Sequence, residues 1–443
     1  MMKQRKWNPK FILRLLLCWL ISWSGTFRMV AQVDSCVTTD TLPLPPLAYP
    51  LLKPRADTIQ QAEALHPFYA ALDSLRQGKD TVITIVHLGD SHIQAGHYTG
   101  RVMRLLQQAF GNAGRGWIAP FKLSRSNEPD DYFITSTVQP KNWIAGRCTQ
   151  REKKTPIGIG GIGIRSLSSS IDLNLIMAPN NGAGYSFNQV ILYRGERSMP
   201  MLPTGTSKER TAVSLADTVC VAGVLADTFR IQNQVDTLRL HSTRRKQGTD
   251  QVLPASSFRN IYYGFCLQNG YPGILYHGIG VNGAMYVHYT EETYLQRLAL
   301  LHPTLLIVSL GTNETFGRGF NKAEFATQVR AFIQLVRQYL PHTALLLTTP
   351  AECYKRIYVN KKRNYVRNAQ TQLAAEVLTQ VAREEGLACW DLFSATGGAN
   401  SCKQWHRHQL MGRDRIHFNK NGYAEQGTLL YRALMRSYHP SNP

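Results

Sequence analysis

Apolar residues recur in two rhythms along this 443-residue chain. In the first, a β-rich run is followed by an amphipathic helix. Thr81-Val82-Ile83-Thr84-Ile85-Val86-His87-Leu88 predicts a strand ending in the polar turn Gly89-Asp90-Ser91-His92. Val102, Leu105, Leu106 and Ala109 then share one face of a helix over about 98–110. The same rhythm resumes downstream, with strands expected at 274–278, 305–310, 344–348 and 387–392. Helices are expected between and after them, at about 291–301, 322–338, 363–385 and 420–436. Strands alternating with helices imply a parallel sheet covered on both faces. Near the start, Ile59, Ala62, Leu65, Phe68 and Leu72 predict a helix over 57–77, broken or kinked near Pro67.

The second rhythm fills residues 122–265, where short alternating runs rich in Gly, Ser and Thr replace helical patterns. Examples are 171–176, 189–193 and 229–240. Short strands spaced by turn signals predict an inserted β-sandwich or jelly roll. The expected organisation is therefore an α/β domain in two parts, 57–122 and 266–443, around a β-rich domain at 123–265. No internal repeat is evident.

Composition adds an export signal. Lys3, Arg5, Lys6 and Lys10 precede an apolar run from Phe11 to Trp23, and a small-residue exit lies near Ala31. Residues 1–32 are read as a signal peptide and the protein as secreted or periplasmic, with no stable membrane span once the signal is removed. The alternative reading is an uncleaved anchor. Residues 33–56 are Pro-rich and predict an extended linker. Loss of the signal removes six Lys and Arg and lowers the formal charge from +21 to +15. Such an excess attracts polyanions. The cations are scattered, with no base-reading stripe, so cell-wall or surface polymers are expected as partners and nucleic acid is not. Of eight cysteines, Cys18 lies in the signal. The other seven have no C-x-x-C spacing, allow one or two disulfides, and leave at least one thiol unpaired within a monomer.

Four polar clusters stand after strands or before the last helix: Gly89-Asp90-Ser91, Gly280-Val281-Asn282-Gly283, Gly311-Thr312-Asn313-Glu314 and Asp414-Arg415-Ile416-His417. Open α/β sheets gather reacting groups beyond the carboxyl ends of their strands. A serine hydroxyl needs an imidazole to take its proton, and the imidazole needs a carboxylate to hold its tautomer. Donors must also face the developing oxyanion.

In this order the four clusters resemble the conserved blocks of the SGNH/GDSL hydrolase superfamily. The resemblance implies a flavodoxin-like three-layer α/β fold, with Ser91 as nucleophile, His417 as general base and acid, and Asp414 orienting His417. It also implies an oxyanion hole from the backbone N–H groups of Ser91 and Gly283 and the side-chain amide of Asn313. Gly283 rather than Gly280 matches the second block's closing glycine. His92 and Glu314 depart from the commoner Leu and Asp, and both are similar to the branch containing peptidoglycan O-acetylesterases. That branch also carries a carbohydrate-binding-module-like β-domain between the first two blocks. Here 192 residues separate Ser91 from Gly283.

What the resemblance implies is a secreted O-acetylesterase acting on acetylated polysaccharide or peptidoglycan. The alternatives are a xylan- or pectin-type substrate, acyl transfer to another sugar, and a glycan-binding protein without catalysis. No cofactor or metal is expected. His87, His92 and His97 recur every five residues, but His87 lies on a strand and the other two in or beyond the turn. Gly158-Ile159-Gly160-Gly161-Ile162-Gly163 fits a dinucleotide fingerprint without the helix that one requires. His406-Arg407-His408 is read as a solvated loop, and no G-x-S-x-G or H-E-x-x-H is present.

Overall fold

A computed structural model describes residues 44–49, 57–179, 184–243, 259–317 and 319–439. The signal peptide and most of the Pro-rich linker lie outside the described residues. The described part of that linker rests on the last helix, where Arg432 Nη1 donates to the Pro45 carbonyl at 2.6 Å.

The chain opens with β1 (Ile59–Gln60), α1 (His66–Arg76), β2 (Val82–Gly89), the single turn α2 (Ser91–Gln94) and α3 (His97–Phe110). The expected helix over 57–77 is therefore shorter. Ile59 and Gln60 pair antiparallel with Trp390 and Cys389. Pro67 sits in the first turn of α1, where a missing N–H breaks no helical hydrogen bond. It starts the helix instead of kinking it.

From Gly116 the chain builds two antiparallel sheets. The larger contains β3 (Gly116–Ile118), β5 (Trp143–Arg147), β6 (Ile162–Ser166), β8 (Phe187–Gly195), β10 (Val213–Val221), β11 (Val224–Val235) and β13 (Ile261–Gln268). The smaller contains β4 (Tyr132–Thr135), β7 (Ser170–Met177), β9 (Leu202–Thr206) and β12 (Thr237–Thr243). In β7, Ile171, Leu173, Leu175 and Met177 are buried and alternate with more exposed neighbours, the pattern of a sheet with one face inward. Tyr262 of the larger sheet lies against Ser242 of the smaller.

The α/β rhythm then returns with β14 (Gly273–Gly280), α4 (Glu292–Leu298), β15 (Leu305–Ser309), α5 (Lys322–Tyr339) and β16 (Ala344–Thr348). A hairpin follows, β17 (Tyr354–Val359) and β18 (Lys362–Arg367), then α6 (Gln370–Glu384) and β19 (Ala388–Trp390). The chain closes with α7 (Leu392–Ala395), α8 (Ser401–Arg407) and α9 (Lys420–Ser437). The helix expected over 363–385 begins only at Gln370, because Lys362–Arg367 is a strand. His406 and Arg407 end α8 and are not part of a loop.

The main sheet has the order β1-β19-β16-β15-β2-β14, parallel except for β1. Numbered among the five parallel strands alone, this is the flavodoxin-like order 2-1-3-4-5. Every residue of β16 is buried, as is every residue of β2 after Val82, so layers cover both faces. The order reverses between β2 and β15, and Gly89-Asp90-Ser91 and Gly311-Thr312-Asn313 leave those two strands side by side.

The β-rich sheets dock on the edge of this core. Asn112 bridges Ile274 of β14. Arg297 of α4 donates to the carbonyls of Ala222 at 2.9 Å and Ile157 at 2.7 Å. The six described cysteines are all free, five of them buried, so none of these six joins the disulfides that the cysteine count allowed.

Candidate active site

Asp90 caps α2, its Oδ1 accepting the His92 N–H at 2.9 Å, and so fixes Ser91 as the first residue of that turn. Ser91 Oγ lies 2.8 Å from His417 Nε2. On the other side of the ring, His417 Nδ1 lies 2.7 Å from Asp414 Oδ2. Asp414 Oδ1 accepts the backbone N–H groups of Ile416 at 3.0 Å and His417 at 3.1 Å, which ties carboxylate and imidazole into one loop. Partial burial pushes the Asp414 carboxyl up, but the hydrogen bonds from His417 and the backbone outweigh it and hold it at about 2. The hydrogen bond that its Nδ1–H donates to Asp414 in turn raises His417 above its ordinary value, against the opposing effect of burial. The carboxylate thus stays ionised and favours a proton on the imidazole, as a base in acyl transfer requires.

The donors expected for an oxyanion border the same opening. Ser91, Gly283 and Asn313 line one cleft of about 610 Å³ together with Asn127, Phe316 and His417. Among the described residues, the Ser91 and Gly283 N–H groups donate to no acceptor. Gly283 has φ 80°, a left-handed conformation that glycine adopts without strain. Asn313 Nδ2 donates to Asp90 Oδ2 at 3.0 Å and to the Ala284 carbonyl at 2.9 Å. Both amide hydrogens are therefore engaged, and donation to a substrate oxygen requires sharing or releasing one of them.

Glu314 joins the second and third blocks, its Oε1 accepting the Tyr286 N–H at 2.9 Å. Burial pushes both Glu314 and Asp90 up to about 7. His92 is neutral packing beside the site: burial lowers it to about 3, Tyr423 hydroxyl lies 3.0 Å from its Nδ1, and its ring centre is 5.2 Å from that of His417. His87 faces away from the cleft, 2.7 Å from both the Tyr276 hydroxyl and Ser309 Oγ. Among the described residues no group of three His, Cys, Asp or Glu side chains is placed to hold a metal.

Sequence reasoning missed three residues that build the site: Asn127 and Tyr423, which line the cleft, and Gln94, buried behind it. Gln94 Oε1 accepts the Asn282 N–H at 2.8 Å, while its Nε2 reaches Asn127 Oδ1 at 2.9 Å. Asn127 Oδ1 also accepts from Asn282 Nδ2 at 2.7 Å. Tyr423 on α9 backs His92. Gln94 stands three residues after Ser91, and that spacing on one turn of helix was a usable signal; Asn127 carried none.

Residues 249–425 match the model of the GDSL-like lipase/acylhydrolase family. That span holds Gly283, Asn313, Asp414 and His417, whereas Ser91 lies outside it, beyond the β-rich segment. A solved peptidoglycan O-acetylesterase superposes over 84% of this chain and 96% of its own, at 20% identity and a TM-score of 0.65. Residues 249–425 belong to the GDSL-like lipase/acylhydrolase family, and the fold is that of an SGNH hydrolase. Its likeness to the solved enzyme shows that the SGNH fold here carries additional antiparallel sheets. A GDSL-like lipase from Bacteroides thetaiotaomicron aligns with 36% of this chain and 76% of its own, at 14% identity and a TM-score of 0.28. Among curated proteins no sequence relative matches.

Proposed function

We propose that this SGNH hydrolase is a secreted serine esterase that removes O-acetyl groups from carbohydrate, with peptidoglycan as its substrate. The observation that carries the proposal is the unbroken chain Ser91 Oγ, His417, Asp414 at the mouth of an open cleft. Ser91 Oγ attacks the acetyl carbon as His417 Nε2 takes its proton, and Asp414 stabilises the imidazolium. The negative oxygen is held by the Ser91 and Gly283 N–H groups and the Asn313 amide. Collapse breaks the ester C–O bond, and His417 returns the proton to the departing sugar oxygen. Water, deprotonated by the same imidazole, then frees acetate from Ser91.

Support for peptidoglycan comes from the solved esterase, whose chain is matched almost throughout, antiparallel sheets included. The export signal read in residues 1–32 and the net positive charge favour a polyanionic wall polymer. The β-rich sheets beside the cleft are assigned to docking glycan, which raises the local concentration of ester. The test is acetate release from O-acetylated peptidoglycan, acetylated xylan and acetylated pectin. Wild type is expected to favour peptidoglycan, and Ser91→Ala to lose roughly 10³-fold or more. Brisk release from xylan with none from peptidoglycan overturns the substrate; equal rates for Ser91→Ala and wild type overturn the serine mechanism.

A further inference from the structure

The hairpin of β17 and β18 is strongly basic. Between Tyr354 and Arg367 it carries Lys355, Arg356, Lys361, Lys362, Arg363 and Arg367, and no acidic residue. Strand register sorts these cations. Arg356 pairs with Tyr365 across the hairpin, and Tyr358 pairs with Arg363. Side chains two apart on a strand, and those directly opposite, share a face. Two arginines and two tyrosines therefore alternate on one face.

Arg356, Arg363 and Tyr365 of that face line a second cleft of about 580 Å³, together with Arg413 and with Lys355, whose Nζ donates to Gln370 Oε1 at 2.9 Å. Phe316 and Ile416 line both this cleft and the one at Ser91, so the two openings adjoin. Among the described residues none of the four cations forms an ion pair, whereas Arg367 is held by buried Glu352 at 2.6 Å. Among the described residues Asp414 is the one carboxylate lining the second cleft, and its oxygens already serve His417 and the backbone. The hairpin is also fastened to the loop that carries Asp414 and His417. Tyr354 N–H donates to the Arg415 carbonyl at 2.9 Å, Tyr365 hydroxyl donates to the Arg413 carbonyl at 2.7 Å, and the Arg415 guanidinium lies 4.5 Å from the centre of the Tyr365 ring.

Unpaired guanidinium groups are suited to bidentate capture of carboxylate or phosphate, and exposed tyrosine rings offer an apolar surface beside them. We propose that this hairpin face is a substrate subsite that holds an anionic group, carboxylate or phosphate, carried by the same glycan whose ester lies at Ser91. The inference rests on the esterase reading for its biological sense, but binding can be measured without turnover.

The experiment uses the full chain with Ser91→Ala. Calorimetric titrations with oligogalacturonate, linear polyphosphate and neutral xylo-oligosaccharide are compared for that protein and with Arg356→Gln/Arg363→Gln added. A second control pair, Lys79→Gln/Arg383→Gln, removes the same charge at the opposite end of the sheet, ahead of β2 and β19. The hairpin pair is expected to weaken anion binding by about tenfold or more, and the control pair by about twofold or less. Arg363→Glu is expected to weaken it further. The tighter of the two anions identifies the group recognised. Equal losses from both pairs overturn the subsite in favour of a diffuse field, as does neutral xylo-oligosaccharide binding as tightly as either anion. Failure of the esterase reading would show separately, as wild-type protein that cleaves no acetyl ester.

Discussion

Asp414 and His417 are only three residues apart, yet one carboxylate serves the imidazole and two backbone N–H groups at once. That concentration of donors explains why Asp414 stays ionised and why His417 is raised above 6.5. A general base works only when neutral, so kcat/KM on p-nitrophenyl acetate is expected to rise with pH through an apparent pKa above 6.5. Asp414→Asn removes the main cause of the raised value. The midpoint should then move down while kcat falls by about 10²–10⁴-fold. A pH profile recorded on both proteins checks this, and an unmoved midpoint would show that Asp414 does not set the base. The two hydrogens of Asn313 belong to the same scale: its side chain is held by Asp90 and Ala284 before any substrate arrives, so the third block stabilises the second as well as facing the cleft.

At the scale of elements, the site depends on two strand ends approaching closely. A β-carbon at Gly280 would collide with the backbone of Asp90 and Gln94, so the turn after β14 can lie against α2 only with glycine there. Gly280→Ala is expected to displace Ser91 from His417 and to lower kcat on p-nitrophenyl acetate by roughly tenfold or more while leaving a folded protein; wild-type turnover in that variant would refute the dependence. This contact was not legible in the sequence, where Gly280 read only as a less suitable match to the second block. The parallel strands were legible because each is an apolar run bounded by turn residues, and β16 falls at the residues expected. The hairpin was not. Its two-residue turn is Asn360-Lys361, both with positive φ, and lysine in place of glycine hides the usual turn signal. Its dense cations also suit an exposed helix as well as a strand. Ile59 was misread for a related reason: two residues of edge strand are too short to show a period, and their partner β19 lies some 330 residues away.

Over the whole molecule, Leu44–Pro443 forms one compact unit, so the antiparallel sheets are part of the body that frames the cleft. Arg297 grips two of their carbonyls, Asn127 holds Gln94 and Asn282, and Lys420 at the start of α9 pairs with Asp130 at 2.7 Å. Insertion between the first and second blocks therefore leaves Ser91 in register with the distant residues 414 and 417, because the inserted chain packs back on β14 and α4. The sequence-level match to the family spans only 249–425, and it is folding that restores Ser91 to the rest. Whether that reunion makes a covalent catalyst is tested most directly by rapid mixing with p-nitrophenyl acetate, followed by acid quench and peptide mass analysis. The account predicts a burst of p-nitrophenol and an acetyl group on the peptide containing Ser91, with both lost in Ser91→Ala. A burst that persists in Ser91→Ala, or an acetyl group on another residue, would contradict it.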